Sequence, residues 1–217
     1  MKNLWKTLSL LIAVAVMAIA PLEASADKND NLDDMSFAEI LNSVDLGKQV
    51  ELVQKFQDRE AKNVLFKNRY IGEQSECSID AIRNREVIVV SIPAHLLFGP
   101  NQTELLETAS RYLEPFKRYM SSKDPDMYRV LAVMHTDNTG SEEYREQLTV
   151  DRAQAVSEWF EENAPNTQFL FPFAMADDMP LVPNDSFENR DKNRRLEIYL
   201  VPGEAMLEKA KKGRIAF

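Results

Sequence analysis

Three short runs constrain the fold of this chain more than anything else in it. Val87 to Pro93 (VIVVSIP), Arg129 to Met134 (RVLAVM) and Leu196 to Val201 (LEIYLV) are mostly apolar and rich in β-branched residues. Runs of that length and composition make buried strands. Gln168 to Met175 reads as another strand, interrupted by Pro172. Helix-length amphipathic segments separate the first three runs in chain order. Strands that alternate with helices are joined by crossovers, which stack the helices on one sheet. The expected fold class is α+β: the order βαβαβ, then a final strand, with helices packed on a mixed sheet as a two-layer sandwich.

The segments between the strands carry their own signals. Phe98-Gly99-Pro100 marks a turn, and Asn101 to Glu104 resembles a capping box. A helix is expected after it, with Leu105, Ala109, Tyr112, Leu113, Phe116 and Met120 on one face and a kink at Pro115. A second helix is expected within Ser141 to Asn163. Tyr144, Leu148, Val156 and Phe160 form a row on it that should face the sheet.

Two places break these local rules. Arg152 falls in the apolar row between Leu148 and Val156, where a guanidinium needs a partner or a route to water. If Thr149 caps a new helical segment instead, Arg152 opposes the helix dipole. The other place is the loop His135 to Gly140 (HTDNTG), just past the carboxyl end of a buried strand, where ligands of α/β sheets often bind. The bland reading has Asp137 capping the next helix and Arg152 pairing with it or snorkelling outward. The functional reading has the two charges hold a ligand.

The chain start has the layout of a secretory signal peptide: Lys2 and Lys6, an apolar run from Leu8 to Ala20, then Ala24-Ser25-Ala26. The run is thirteen residues, against about 20 for a spanning helix. Cleavage after Ala26 is expected, with no lipid anchor, since the single cysteine, Cys77, lies far away. Residues 27–74 are read as an acidic tail followed by short helices. Ser36 caps the first, which carries Phe37, Ile40, Leu41 and Val44, and Gly47 separates it from a second with Val50, Val53 and Phe56. They are too short to form a domain and should pack on the main domain or on a partner. Residues 203–217 read as a basic tail.

The formal net charge of −9 argues against nucleic acid and anionic membrane surfaces. Any anionic ligand must be held by local donors against the overall field. His95 and His135 have no ligand-spaced partners, so no metal or other cofactor is expected. Glu142 and Glu143 do not converge on a helix, which weakens a hydrolase reading. No catalytic residues are assigned, and the chain is read as a binding protein rather than an enzyme.

The segment HTDNTGSEEYREQLTVDRAQAV resembles the signature of the OmpA-like C-terminal, peptidoglycan-associating domain. The stretch from Pro180 to Ile198, with Asn193-Arg194-Arg195, resembles that family's closing motif, and Leu96 to Leu105 its first strand–helix turn. The resemblance covers about residues 75–202 and implies the family's βαβαβ-β sandwich. It also implies noncovalent binding of peptidoglycan through the diaminopimelate of the stem peptide. On that pattern Asp137 takes the ligand's ammonium and Arg152 its carboxylate, with Thr136, Asn138, Asn101 and Arg194 around them. The implied location is the periplasm of a Gram-negative bacterium, free or at the outer membrane. An adaptor that binds an envelope protein or a second copy through the N-terminal helices is the alternative function. The chain departs from the family at Arg145, where Asn is usual, at Phe171 to Ala174, and at Asn189, where Gly usually precedes Arg190.

Overall fold

The sheet has five strands in the order β1-β2-β5-β3-β4. They are β1 (Ser78–Ile82), β2 (Val87–Pro93), β3 (Tyr128–His135), β4 (Leu170–Ala174) and β5 (Arg195–Pro202). The computed structural model describes residues 32–72 and 75–215. The expected signal peptide and its cleavage after Ala26 lie outside these residues. β5 runs antiparallel to both β2 and β3, and β3 runs parallel to β4, so the sheet is mixed. This is the α+β class expected from the strand runs.

β3 and β5 are buried at every position. Both faces of the sheet are covered, so these strands read as continuous apolar runs and not as alternations. Ile88, Val90, Ile92, Val130, Ala132, Met134, Leu196, Ile198 and Leu200 point to one face. Helix α4 (Glu142–Asn163) covers it with Ala153, Val156 and Phe160. Helix α3 (Ser110–Leu113) and the 3-10 turn after it add Leu113 and Phe116. The opposite face carries Val87, Val89, Leu131, Val133, Tyr199 and Val201. There helix α1 (Phe37–Leu41) inserts Ile40, and the Phe37 ring meets Phe173 and Tyr199 edge-on at 5.8 and 5.1 Å. Ser36 caps α1 in a full capping box with Glu39, as its sequence suggests.

Residues 32–72 are integrated into the core. Helix α2 (Val50–Glu60) continues as a π-helical turn over Ala61–Leu65. Val44, Leu46, Val53, Leu65 and Ile71 lie in the same cluster as the sheet residues. Gln57 is buried. It donates to Glu86 O (2.8 Å) and Leu200 O (3.0 Å) and accepts from Tyr128 Oη (3.1 Å). The segment read as a basic tail contains helix α6 (Glu204–Lys211), whose Met206, Leu207 and Ala210 are buried with the others. The lysines of that segment masked its apolar face.

Other expectations need correction. Asn101 does not cap a helix. It sits in a left-handed turn (φ 55°), Phe98 bridges Leu105, and the helix starts only at Ser110. Pro115 then lies in the first turn of the 3-10 helix Glu114–Tyr119, where its missing N–H is harmless. Tyr144 does not face the sheet but is 42% exposed in the first turn of α4. Pro172 is tolerated because β4 is an edge strand. Among the described residues, no helix is long and apolar enough to cross a membrane.

Candidate functional site

The strand directions bring the loops of interest to one end of the sheet. His135 pairs with Arg195, which pairs with Pro93 on its other side, and Met134 pairs with Ala174. The loops after β2, β3 and β4 and the entry to β5 therefore meet at that end. Helix α5 (Phe187–Asn193), missed in the sequence, occupies the last of them. Ser186 caps it, accepting from Asn189 N.

Asp137 leaves the end of β3 and is 1% exposed. Its Oδ1 accepts from the backbone N–H of Thr139 at 2.7 Å and from the Thr139 hydroxyl. Its Oδ2 pairs with the Arg194 guanidinium, whose Nη2 also donates to Asp191 Oδ1 at 2.7 Å. Burial alone would raise the Asp137 carboxyl, but the Thr139 donors and Arg194 outweigh it and hold the group below its usual range. Asp137 is an anion with a fixed orientation. It does not cap α4; Ser141 does.

Arg152 lies in mid-helix on the buried face of α4 and is 5% exposed. Thr149 starts no new segment, because its hydroxyl bonds back to Arg145 O within the continuous helix. Arg152 Nε donates to Gln102 O (2.8 Å) and Nη2 to Gly99 O (3.3 Å). The guanidinium carbon stands 4.8 Å from the Phe98 ring centroid. These partners orient the group without neutralising it: among the described residues, no carboxylate pairs with Arg152. Burial lowers its affinity for the proton, Tyr144 partly restores it, and the nearby charge of Arg194 lowers it again. The apo pairing is thus Asp137 with Arg194, not Asp137 with Arg152.

The remaining expected residues take supporting places. Thr136 is buried and donates its backbone N–H to Ala176 O, tying the loop after β3 to the loop after β4. Asn138 is exposed beside Asp137. Asn101 Oδ1 accepts from Tyr144 Oη at 3.1 Å, so the loop after β2 is pinned to the start of α4. Gly140 adopts φ +88°, and a Cβ there would meet the Tyr144 ring at 2.8 Å. The unusual Arg145 adds no free charge. It donates to Asp177 Oδ1 (2.7 Å) and to Gly140 O (2.8 Å), clamping two of the loops together.

Below the loops, Glu197 joins the strand ends. It accepts from His135 Nε2 (3.1 Å), Arg195 Nε (2.8 Å) and Tyr199 Oη (2.7 Å). Burial opposes its ionisation, yet the His135 bond and Arg195 bring its pKa down to about 2. His135 is 1% exposed, and burial holds it below its ordinary value. Among the described residues, no group of three or more His, Cys, Asp or Glu could hold a metal ion.

Comparison with known proteins falls on this same stretch. Residues 97–194, which include every site residue named above except those of the strand β5, match the OmpA family. This segment is an OmpA-family domain. Its chain is 30% identical over 109 residues to the outer-membrane lipoprotein YfiB of Pseudomonas aeruginosa, covering 50% of this chain and 63% of that protein. The chain spans less than two thirds of the length of the curated relatives it matches. The fold around the OmpA domain is similar to a MotB-like protein from Desulfovibrio vulgaris (TM-score 0.61, 23% identity, 72% of this chain and 95% of that one). It is also similar to the cell wall anchor of the T6SS from Pseudomonas aeruginosa (TM-score 0.50, 21% identity, 69% and 96%).

The sequence singles out Asp137, Arg152 and Arg194 as candidates, and the fold brings Asp137 and Arg194 into contact, but the residues that hold them were not anticipated. Phe98 beneath Arg152, Thr139 on Asp137 and Asp191 behind Arg194 are ordinary residue types in loops. Only the two broken rules, a charge in an apolar row and an acid at a strand end, are legible in the sequence alone.

Proposed function

We propose that the domain binds peptidoglycan noncovalently, gripping the diaminopimelate of the stem peptide. The carrying observation is Arg152: a guanidinium 5% exposed, oriented by two carbonyls and left without a carboxylate partner among the described residues. A buried cation in that state is costly, and a ligand carboxylate relieves the cost. The planar fork can take that carboxylate bidentately. Asp137, held as an anion, takes the ammonium of the same zwitterionic centre in exchange for part of its Arg194 contact. Thr136 and Asn138 shape the loop that presents it, and Asn101 fixes the opposite wall through Tyr144. OmpA-family membership and the likeness to a cell wall anchor support this reading. We place the mature protein in the periplasm, exported by cleavage after Ala26, with residues 75–202 carrying the site.

Retention on protein-free sacculi tests the assignment. Truncating one partner of a buried, hydrogen-bonded charge pair costs about 2–5 kcal/mol, or roughly 30-fold to a few thousand-fold in affinity. Arg152→Ala and Asp137→Asn should each lose retention by that factor, with far-UV circular dichroism unchanged. Arg152→Lys should bind poorly too, because a point charge cannot copy the fork. Folded variants that are retained like wild type would remove the assignment and favour a protein adaptor.

A further inference from the structure

Apolar side chains crowd the end of the sheet that carries the charged pair. Of the six large apolar side chains exposed among the described residues, four are there: Tyr144 (42%), Met179 (42%), Leu181 (55%) and Phe187 (68%). Single exposed apolar residues need no explanation, but a concentration of them marks a contact surface. Phe187 opens helix α5, and the Arg194 guanidinium carbon lies 5.5 Å from its ring centroid. The rest of the ring is bare. Arg194 thus touches Asp137, Asp191 and Phe187 at once.

Asp191 lies one helical turn after Phe187, on the same face of α5. It also lines a surface hollow of about 310 Å³ with Leu181, Lys192, His95, Glu76 and Arg195. That volume is at the lower end for small-molecule sites. The charges of the lining balance: Glu76 and Asp191 against Lys192 and Arg195. Arg195 has its donors engaged by Glu197 Oε1, Asn193 O and Met179 O. A hollow with balanced charge and many hydrogen-bonding groups, and an exposed aromatic ring one helical turn before the Asp191 of its wall, fits a neutral, hydroxyl-rich ring better than an ion. A pyranose offers an apolar C–H face to an aromatic ring and hydroxyls to carboxylates, imidazole and ammonium groups at its edge.

We propose that Phe187 and the hollow behind Asp191 form a saccharide subsite, which takes a sugar ring of the glycan strand while Asp137 and Arg152 hold the stem peptide. This rests on the peptidoglycan reading above and extends it from the peptide to the glycan. It makes Phe187 a specificity determinant: the residue that separates a sugar-bearing peptide from a bare one.

Isothermal titration of the mature chain with two synthetic probes tests it, a diaminopimelate-containing stem tripeptide and the same tripeptide on its disaccharide. One aromatic stacking contact corresponds to about a two- to ten-fold difference in affinity. Wild type should bind the disaccharide peptide tighter than the bare peptide by that factor. Phe187→Ala should bring the ratio close to one, and Phe187→Trp should restore it. The imidazole resonances of His95 should move with the disaccharide peptide and not with the bare one. A ratio unaltered in Phe187→Ala, or equal loss for both probes, overturns the subsite and leaves the peptide site standing. Failure of wild type to bind either probe overturns the peptidoglycan reading and this one with it.

Discussion

Replacing Gln57 by Leu should destabilise the protein by far more than its place on a short N-terminal helix suggests. The substitution keeps the volume and the helix propensity of the side chain. It removes one acceptor and two donors from a buried spot. Tyr128 Oη and the carbonyl of Leu200 are buried there, and the carbonyl of Glu86 is partly so. A stranded buried polar group costs about 1–3 kcal/mol, and two of these three have little access to water. The new leucine recovers about 1–2 kcal/mol by burying apolar surface. The net loss should be about 2–4 kcal/mol, or a fall in Tm of about 5–15 °C for a chain of this size. Tyr128→Phe alone strands the Gln57 amide oxygen and should cost about 1–2 kcal/mol. The double variant removes both ends of that bond, so its loss should fall short of the sum. Urea unfolding of the four proteins closes the cycle. A Gln57→Leu protein as stable as wild type, or strict additivity, would refute the view that α2 is fastened to the sheet through this side chain. The same bond network bears on truncation: residues 75–217 alone should melt at a lower temperature and less cooperatively than the chain with residues 32–72.

Two further outcomes follow from the charge state of buried groups. Glu197 has a folded pKa of about 2 against an ordinary 4.5, so the folded protein binds fewer protons between those values. Its stabilisation, up to about 3 kcal/mol, is complete above pH 4.5 and is lost as pH falls toward 2. His135, held below its ordinary 6.5 by burial, adds a smaller loss that begins as pH falls below 6.5. Urea midpoints measured from pH 7 to pH 2 should therefore decline less steeply in Glu197→Gln than in wild type, and equal slopes would contradict the network. Burial pushes the Cys77 thiol up to about 11, so at pH 8 it should react with iodoacetamide at well under a tenth of the rate of an unhindered thiol. Labelling as fast as a free peptide thiol would show that Cys77 lies in a more open setting.

The central strands were legible because burial on both faces leaves no polar positions to confuse the pattern. β1 was not, because it is an edge strand with mostly exposed residues, and its turn at Arg83, Asn84 and Arg85 uses positive φ without glycine. Helix α5 hides in a polar stretch whose one clear signal is Ser186 three residues before Asn189. The helix expected from Asn101 failed because a local capping pattern lost to the Phe98–Leu105 bridge and to the carbonyls at Gly99 and Gln102 that hold Arg152. Tyr144 misled for a related reason: helical periodicity assumes that the sheet reaches the whole helix, and the first turn of α4 overhangs it toward Gly140. In the site itself, charges in the wrong place were visible in the sequence. Their partners were not, because pairing across 57 residues, as between Asp137 and Arg194, leaves no local trace.

The attachment of the loops to the sheet has a mechanical side. Asp137 lies two residues beyond β3 and Arg194 one residue before β5, and these two strands pair in register from Tyr128–Pro202 to His135–Arg195. A pull on anything held between the two loops, directed along the strands, enters both at their shared end. Such a load acts on both strands in the same direction, so it does not slide one past the other and puts little stress on the hydrogen bonds between them. Peeling β1 or β4 from the sheet edge would instead break bonds one pair at a time. The load path thus runs along the two fully buried central strands and leaves the short edge strands out.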